Sequence, residues 1–142
     1  MKNIITFFTF LIIATTTTAQ KNKDSLLIVQ AMNEQINAWN NGDIDAYMET
    51  YWKSDSLLFI GKNGPTYGWE LTKKNYKKGY PDTAAMGKLR FELIQMKRLS
   101  VAYYSVVGKW FLKRSIGDIG GAFTLIFRKV KGKWLIIQDH SS

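Results

Sequence analysis

Val101-Ala-Tyr-Tyr-Ser-Val-Val-Gly-Lys-Trp-Phe-Leu-Lys-Arg114 decides the architecture of this chain. Ala102, Tyr104, Val106, Gly108, Trp110 and Leu112 fall on every second position, the period of a strand that buries one face. The flanking segments repeat the pattern. Upstream, Lys88 to Lys97 alternates through Leu89, Phe91 and Leu93; downstream, Gly121 to Val130 alternates through Phe123, Leu125 and Phe127. A last strand runs from Trp134 to Ser142, and short connections at 98–100, 115–120 and 131–132 make neighbouring antiparallel hairpins. A four-strand meander with one apolar face needs a cover.

The cover lies upstream. Asp24 to Asn41 reads as a helix with Asp24 as N-cap, a stripe of Val29, Met32, Ile36 and Trp39, and Gly42 to stop it. Asp43 caps a short second helix in which Ile44, Tyr47, Met48 and Tyr51 fall at i, i+3, i+4 and i+7. Ser56 to Ile60 and Thr66-Tyr67 are short strands around the turn residues Lys62-Asn-Gly-Pro65. A third helix, Trp69 to Lys78, keeps Trp69, Thr72, Tyr76 and then Tyr80 on one side until Gly79 and Pro81 end it. The expected fold is α+β: three helices covering a curved antiparallel sheet in a cone-shaped barrel, with a cavity at the wide end.

The start of the chain has a different logic. A basic Met1-Lys2-Asn3, an apolar run from Ile4 to Ala14 and a small-residue stretch ending at Ala19 have the order of an export signal. The run is too short for a hydrocarbon core that needs roughly 20 residues. Residues 1–19 are therefore expected to be a signal peptide, cut before Gln20, and 20–142 a single domain of an exported, periplasmic or secreted bacterial protein. The chain has no cysteine, which removes disulfides, thiolate chemistry and Cys-based zinc sites. The formal charge is +9, but its one concentration, Lys73, Lys74, Lys77 and Lys78, forms an outer helical arc and reads as a solvated face rather than a nucleic-acid site.

His140 is the only histidine. On a regular pleat it shares a face with Trp134, Ile136 and Gln138, while Asp139 takes the opposite face and is expected to make a structural hydrogen bond or cap. Its pKa near neutrality suits a general base or a ligand contact. The proposed lining joins Tyr47, Tyr51, Trp69, Tyr76 and Tyr80 of the helices to Tyr104, Trp110 and His140 of the sheet, with Arg114 at the rim for an acidic group. A buried phenol needs a hydrogen-bond partner, so this lining is apolar with polar handles. No metal-ligand spacing, phosphate-binding glycine loop or nucleophile elbow occurs, so no cofactor is implied.

Ala38-Trp-Asn-Asn-Gly-Asp-Ile-Asp45, Tyr67-Gly-Trp69, Gly108-Lys-Trp110, Gly121-Ala-Phe-Thr-Leu125 and Trp134 to Ser142, in this order, resemble the nuclear-transport-factor-2-like superfamily. The resemblance covers nearly all of residues 20–142 and is nearest to SnoaL-like envelope members of unknown function. It implies the same cone, used by isomerases, cyclases, dehydratases, an assembly domain and binding modules, so it does not select among functions. The aspartate base of the ketosteroid isomerases would fall at about Ile60, where there is no carboxylate; Asp55 lies earlier. Three readings stay open. One is a pocket for a small, partly aromatic or amphipathic molecule. Another is an isomerase, cyclase or dehydratase with His140 as base and Tyr47 or Tyr80 as donor. The third is a homo-oligomeric assembly module, for which the outward Tyr103, Val107 and Phe111 would pair two copies through the sheet.

Overall fold

The computed structural model describes the backbone of residues 5–142 and the side chains of Gln20 and residues 23–142. Helix α1 (Ile5–Asn40) leads into α2 (Ile44–Met48), strands β1 (Leu58–Gly61) and β2 (Gly64–Tyr67), and helices α3 (Trp69–Gly79) and α4 (Thr83–Met86). Strands β3 (Lys88–Arg98), β4 (Tyr103–Lys113), β5 (Ile119–Val130) and β6 (Lys133–Ser141) complete the chain. The side chains of the expected signal peptide, residues 1–19, lie outside those described. Among the described residues, no helix is long and apolar enough to cross a membrane.

All strands join one sheet in the order β2-β1-β6-β5-β4-β3. The long strands form the expected antiparallel meander, but the sheet as a whole is mixed, because β1 runs parallel to β6. Chain order does not reveal that pairing. A parallel neighbour needs a long crossover, and here α3, α4 and four strands intervene between the two partners.

The inward alternation of β4 holds: Tyr104, Val106, Gly108 and Leu112 are buried, as are Phe123, Leu125 and Phe127 of β5. Leu93 departs from its expected inward place and is 39% exposed. The β3–β4 register shifts between Leu93 and Gln95, leaving Ile94 as an extra residue that breaks the alternation.

The helix boundaries follow the capping signals with one correction. Asp43 caps α2 by accepting from Ala46 N at 2.8 Å, and Ile44, Tyr47, Met48 and Tyr51 are all buried. Asp24 is no N-cap; it lies inside α1, fully buried, and its Oδ1 accepts from Lys129 Nζ at 2.8 Å and Gln20 Nε2 at 2.9 Å. The buried stripe of α1 is Ile28, Met32, Gln35 and Trp39, with Val29 and Ile36 at its margins. The short helix α4 was not foreseen. It is capped by Asp82 and places the Met86 carbonyl to accept from Trp39 Nε1 at 3.0 Å.

At the end of α1, Asn40 acts as a substitute strand. Its Oδ1 accepts from Leu89 N at 2.7 Å and its Nδ2 donates to Leu89 O at 3.2 Å. Both backbone groups of that residue are thereby satisfied on edge strand β3, and the helix is pinned across the sheet.

Candidate functional site

Helices and sheet enclose a cavity of about 640 Å³. Small-molecule sites span roughly 300–1,000 Å³, so the space suits an organic ligand rather than a single ion. Gln35 and Trp39 of α1, Tyr47 and Tyr51 from α2 and its exit, and Tyr76 of α3 form one wall. Phe91, Trp110 and Phe123 line the sheet side, with Phe59 and Asp139 on the adjacent strands β1 and β6.

The chemical centre is Asp139. It is 3% exposed, and Oδ2 accepts from the Tyr51 hydroxyl at 2.7 Å while Oδ1 accepts from Ser141 Oγ at 2.6 Å. Burial pushes its carboxyl pKa up, against the opposing pull of those two hydrogen bonds and of the His140 charge. Tyr51, Tyr47 and Tyr76 bring their hydroxyls within 3.4–3.5 Å of one another. Burial raises each of their pKa values, reinforced by the nearby Asp139 charge, so all three remain protonated donors. A buried carboxyl whose pKa is raised, backed by phenols in an aromatic enclosure, can hold or move a proton at one point of a ligand.

His140 does not face this cavity; it is exposed and Asp139 takes the inward place. The cause is a bulge. Phe127 pairs with Ile136 but Ile126 pairs with Gln138, so Ile137 is an extra residue and the pleat changes phase. Before it Trp134 and Ile136 point inward; after it Asp139 and Ser141 do, opposite the inward Leu125 and Phe123. The bulge sits where β6 changes partner on its other edge, from the Thr50–Trp52 segment around Ile136 to β1 from Gln138 onward. There Phe59 pairs with Asp139 and lines the cavity, while Ile60 pairs with His140.

Tyr47, Tyr51, Tyr76, Tyr80 and Trp110 line the cavity as the sequence led one to expect; Trp69, Tyr104 and Arg114 do not. Trp69 is buried outside it, donating from Nε1 to Met48 O at 2.9 Å beneath the ammonium of Lys73. Tyr104 packs edge-on against Trp134 near Ser25 of α1. Arg114 is held by its own hairpin, its Nε donating to Gly117 O at 2.7 Å.

Sequence reasoning missed Asp139 and Gln35. For Gln35 a signal existed, since a polar residue interrupts the stripe Ile28, Met32, Trp39 at its i+3 position. Gln35 is 1% exposed, and its amide nitrogen has no hydrogen-bond partner among the described residues. The buried Trp110 Nε1 is likewise without one, whereas Trp39, Trp69 and Trp134 all donate to protein oxygens. An unpaired buried donor costs about 1–3 kcal/mol, and two of them line this one cavity.

The comparisons agree with this geometry. The family model described as the SnoaL-like domain matches residues 28–142. The chain belongs to that family, within the nuclear-transport-factor-2-like superfamily. It is similar to an NTF-2 like protein of unknown function from Shewanella oneidensis, with 42% identity over 84% of this chain and 98% of that one, at a TM-score of 0.81. A ketosteroid isomerase-like protein from Erwinia carotovora shares the fold at 19% identity, covering 82% of this chain and 93% of its own, with a TM-score of 0.63. An NTF2-like superfamily protein from Salmonella enterica does so at 16% identity, over 89% and 92% of the two chains, with a TM-score of 0.64. Among curated proteins, none matches.

Proposed function

We propose that this SnoaL-like domain binds a small, partly aromatic or amphipathic molecule in its cone. The observation that carries the reading is the cavity of about 640 Å³, walled by aromatic rings and holding a few convergent polar groups around Asp139. Aromatic faces suit a flat ligand, and the Tyr47, Tyr51 and Tyr76 phenols can orient it. Native mass spectrometry of the protein purified from envelope fractions tests this. The expected spectrum carries a non-covalent small-molecule adduct that is lost on denaturation. Protein that is bare as isolated, and that also leaves the fluorescence of added N-phenyl-1-naphthylamine unchanged, would sink the reading.

The Tyr51–Asp139 pair favours a second reading, an acid–base enzyme of the isomerase, cyclase or dehydratase kind. In it Asp139 takes the proton-handling place expected of His140, and a tyrosine hydroxyl is the donor. Solvent-deuterium exchange next to the carbonyl of a cyclic enone is the check, with wild type expected to outpace Asp139→Asn. Equal rates in the two proteins would remove the enzymatic reading and leave binding intact.

Export and self-association belong to the same proposal. Export rests on the order of residue types from Met1 to Ala19, and N-terminal sequencing of envelope protein should begin at or near Gln20. Pairing of two copies rests on Tyr103, Val107 and Phe111, half-buried on the sheet face opposite Tyr104, Val106 and Leu112. Light scattering that gives a monomer mass at high micromolar concentration would refute it.

A further inference from the structure

The residues lining the cavity change character from inside to outside. Tyr51, Leu125 and Asp139 are nearly inaccessible to solvent, whereas Lys62, Asn63 and Lys78 are exposed, so these last three mark its mouth. Lys62 lies in the β1–β2 turn and Lys78 in the last turn of α3. Neither forms an ion pair among the described residues, although Lys73 and Lys77 of the same helix both pair with Asp45. The lining includes one Asp or Glu, the buried Asp139, which two hydroxyl donors already engage. The charged side chains at the mouth are thus both lysines, set among the exposed Asn63, Asn75, Ile119 and Ser142, and the interior is aromatic. In addition to Tyr76 and Asp139, the lining carries the Gln35 amide nitrogen, a donor unpaired among the described residues.

We propose that the ligand of this cavity is an organic anion, seated with its apolar body among the aromatic rings and its acidic group at Lys62 and Lys78. The inference rests on the cavity being a binding site and adds the chemical class and orientation of what enters it. Two ammonium groups without ion-pair partners among the described residues attract an anion at the opening, and aromatic walls exclude a fully hydrated one from the interior. Gln35 then donates to an acceptor oxygen on the inner part of the ligand, which gives it a polar inner end as well as an acidic outer one. The orientation keeps the acidic group away from Asp139, so no second negative charge is buried beside that carboxyl.

Two fluorescent probes that share one skeleton test this. N-phenyl-1-naphthylamine is neutral, and 1-anilinonaphthalene-8-sulfonate adds a single sulfonate. At low salt the wild-type protein should bind the sulfonate more tightly than the neutral probe. Lys62→Gln/Lys78→Gln should weaken sulfonate binding about tenfold, as expected for two exposed charge contacts, and leave the neutral probe's affinity unchanged. That unchanged affinity shows the cavity still formed. Sulfonate binding that the double substitution leaves intact overturns the anion inference while the pocket survives. An equal loss for both probes also overturns it, because the lysines would then only shape the opening. If neither probe binds the wild-type protein, the pocket reading itself falls.

Discussion

The Tyr51 hydroxyl donates to Asp139 Oδ2 at 2.7 Å, a side-chain bond that joins residues 88 positions apart in the chain. It ties the exit of α2 to the end of β6 across the cavity wall. Tyr51→Phe should lower stability by about 1–2 kcal/mol, the cost of leaving a buried acceptor with one donor fewer. It should also move the Asp139 titration higher, because the Tyr51 bond is one of the influences opposing burial. Urea denaturation and carbon-detected NMR of the Asp139 carboxyl measure the two effects. An unchanged titration would mean that the bond has no electrostatic weight.

Asp139 gives stability an inverted pH dependence. Burial raises its folded pKa above the ordinary carboxylate value, so between the unfolded and folded pKa values the folded state holds a proton that the unfolded state has lost. The associated stability is complete below the unfolded pKa and is lost as pH rises through the folded one. Asp139→Asn cannot ionise. Its stability relative to wild type should therefore improve steadily as pH is raised from about 4. Urea midpoints taken across pH 4 to 8, a range set about the ordinary carboxylate value, would show it; parallel curves for the two proteins would contradict the burial argument.

His140→Ala should do little. The side chain is exposed and outside the cavity, so stability should stay within about 0.5 kcal/mol. Affinity for N-phenyl-1-naphthylamine should match wild type in a fluorescence titration. A large loss would mean that the last strand moves on binding and brings the imidazole inward.

Asp24 follows the ordinary carboxylate sign. Burial acts to raise its pKa, but hydrogen bonds from Lys129, Gln20 and Trp134 outweigh it and hold the group below its usual value. Lys129→Met removes the ion pair at 2.8 Å and leaves a fully buried carboxylate. The loss should be about 2–4 kcal/mol near neutral pH, below the full figure for a buried pair because Lys129 is partly solvated. This native pair contributes above the unfolded pKa and is lost as pH falls through the depressed one. The gap between variant and wild type in calorimetric stability should therefore narrow in acid.

Gly108 tests the packing of the sheet. A Cβ there would lie 2.6 Å from Glu92 O, backbone that cannot move without displacing β3. Gly108→Ala should destabilise by about 1–3 kcal/mol through overpacking. A thermal melt that matches wild type would show that the β3–β4 pair yields more easily than its register implies.

Periodicity and caps in the sequence were enough for the presence of α1, α2 and α3, the four-strand meander and the inward residues of β4 and β5, because a side chain's face within one element depends on local geometry alone. The same reasoning reached Tyr47, Tyr51, Tyr76 and Tyr80 from the apolar faces of two helices. It failed at Asp139 and His140, adjacent residues whose faces were exchanged by the single bulge at Ile137. That bulge arises where β6 changes neighbours, from Thr50–Trp52 to β1, a long-range pairing with no local signature. Asp24 was misplaced for a related reason. Its carboxyl could cap a helix by its own chemistry, and only the arrival of Lys129 and Trp134 from β5 and β6 stabilises it in the interior. Local pattern therefore determined which elements form and which faces are apolar. Tertiary pairing decided which carboxylate enters the cavity, because one extra residue in a strand reverses every side chain beyond it.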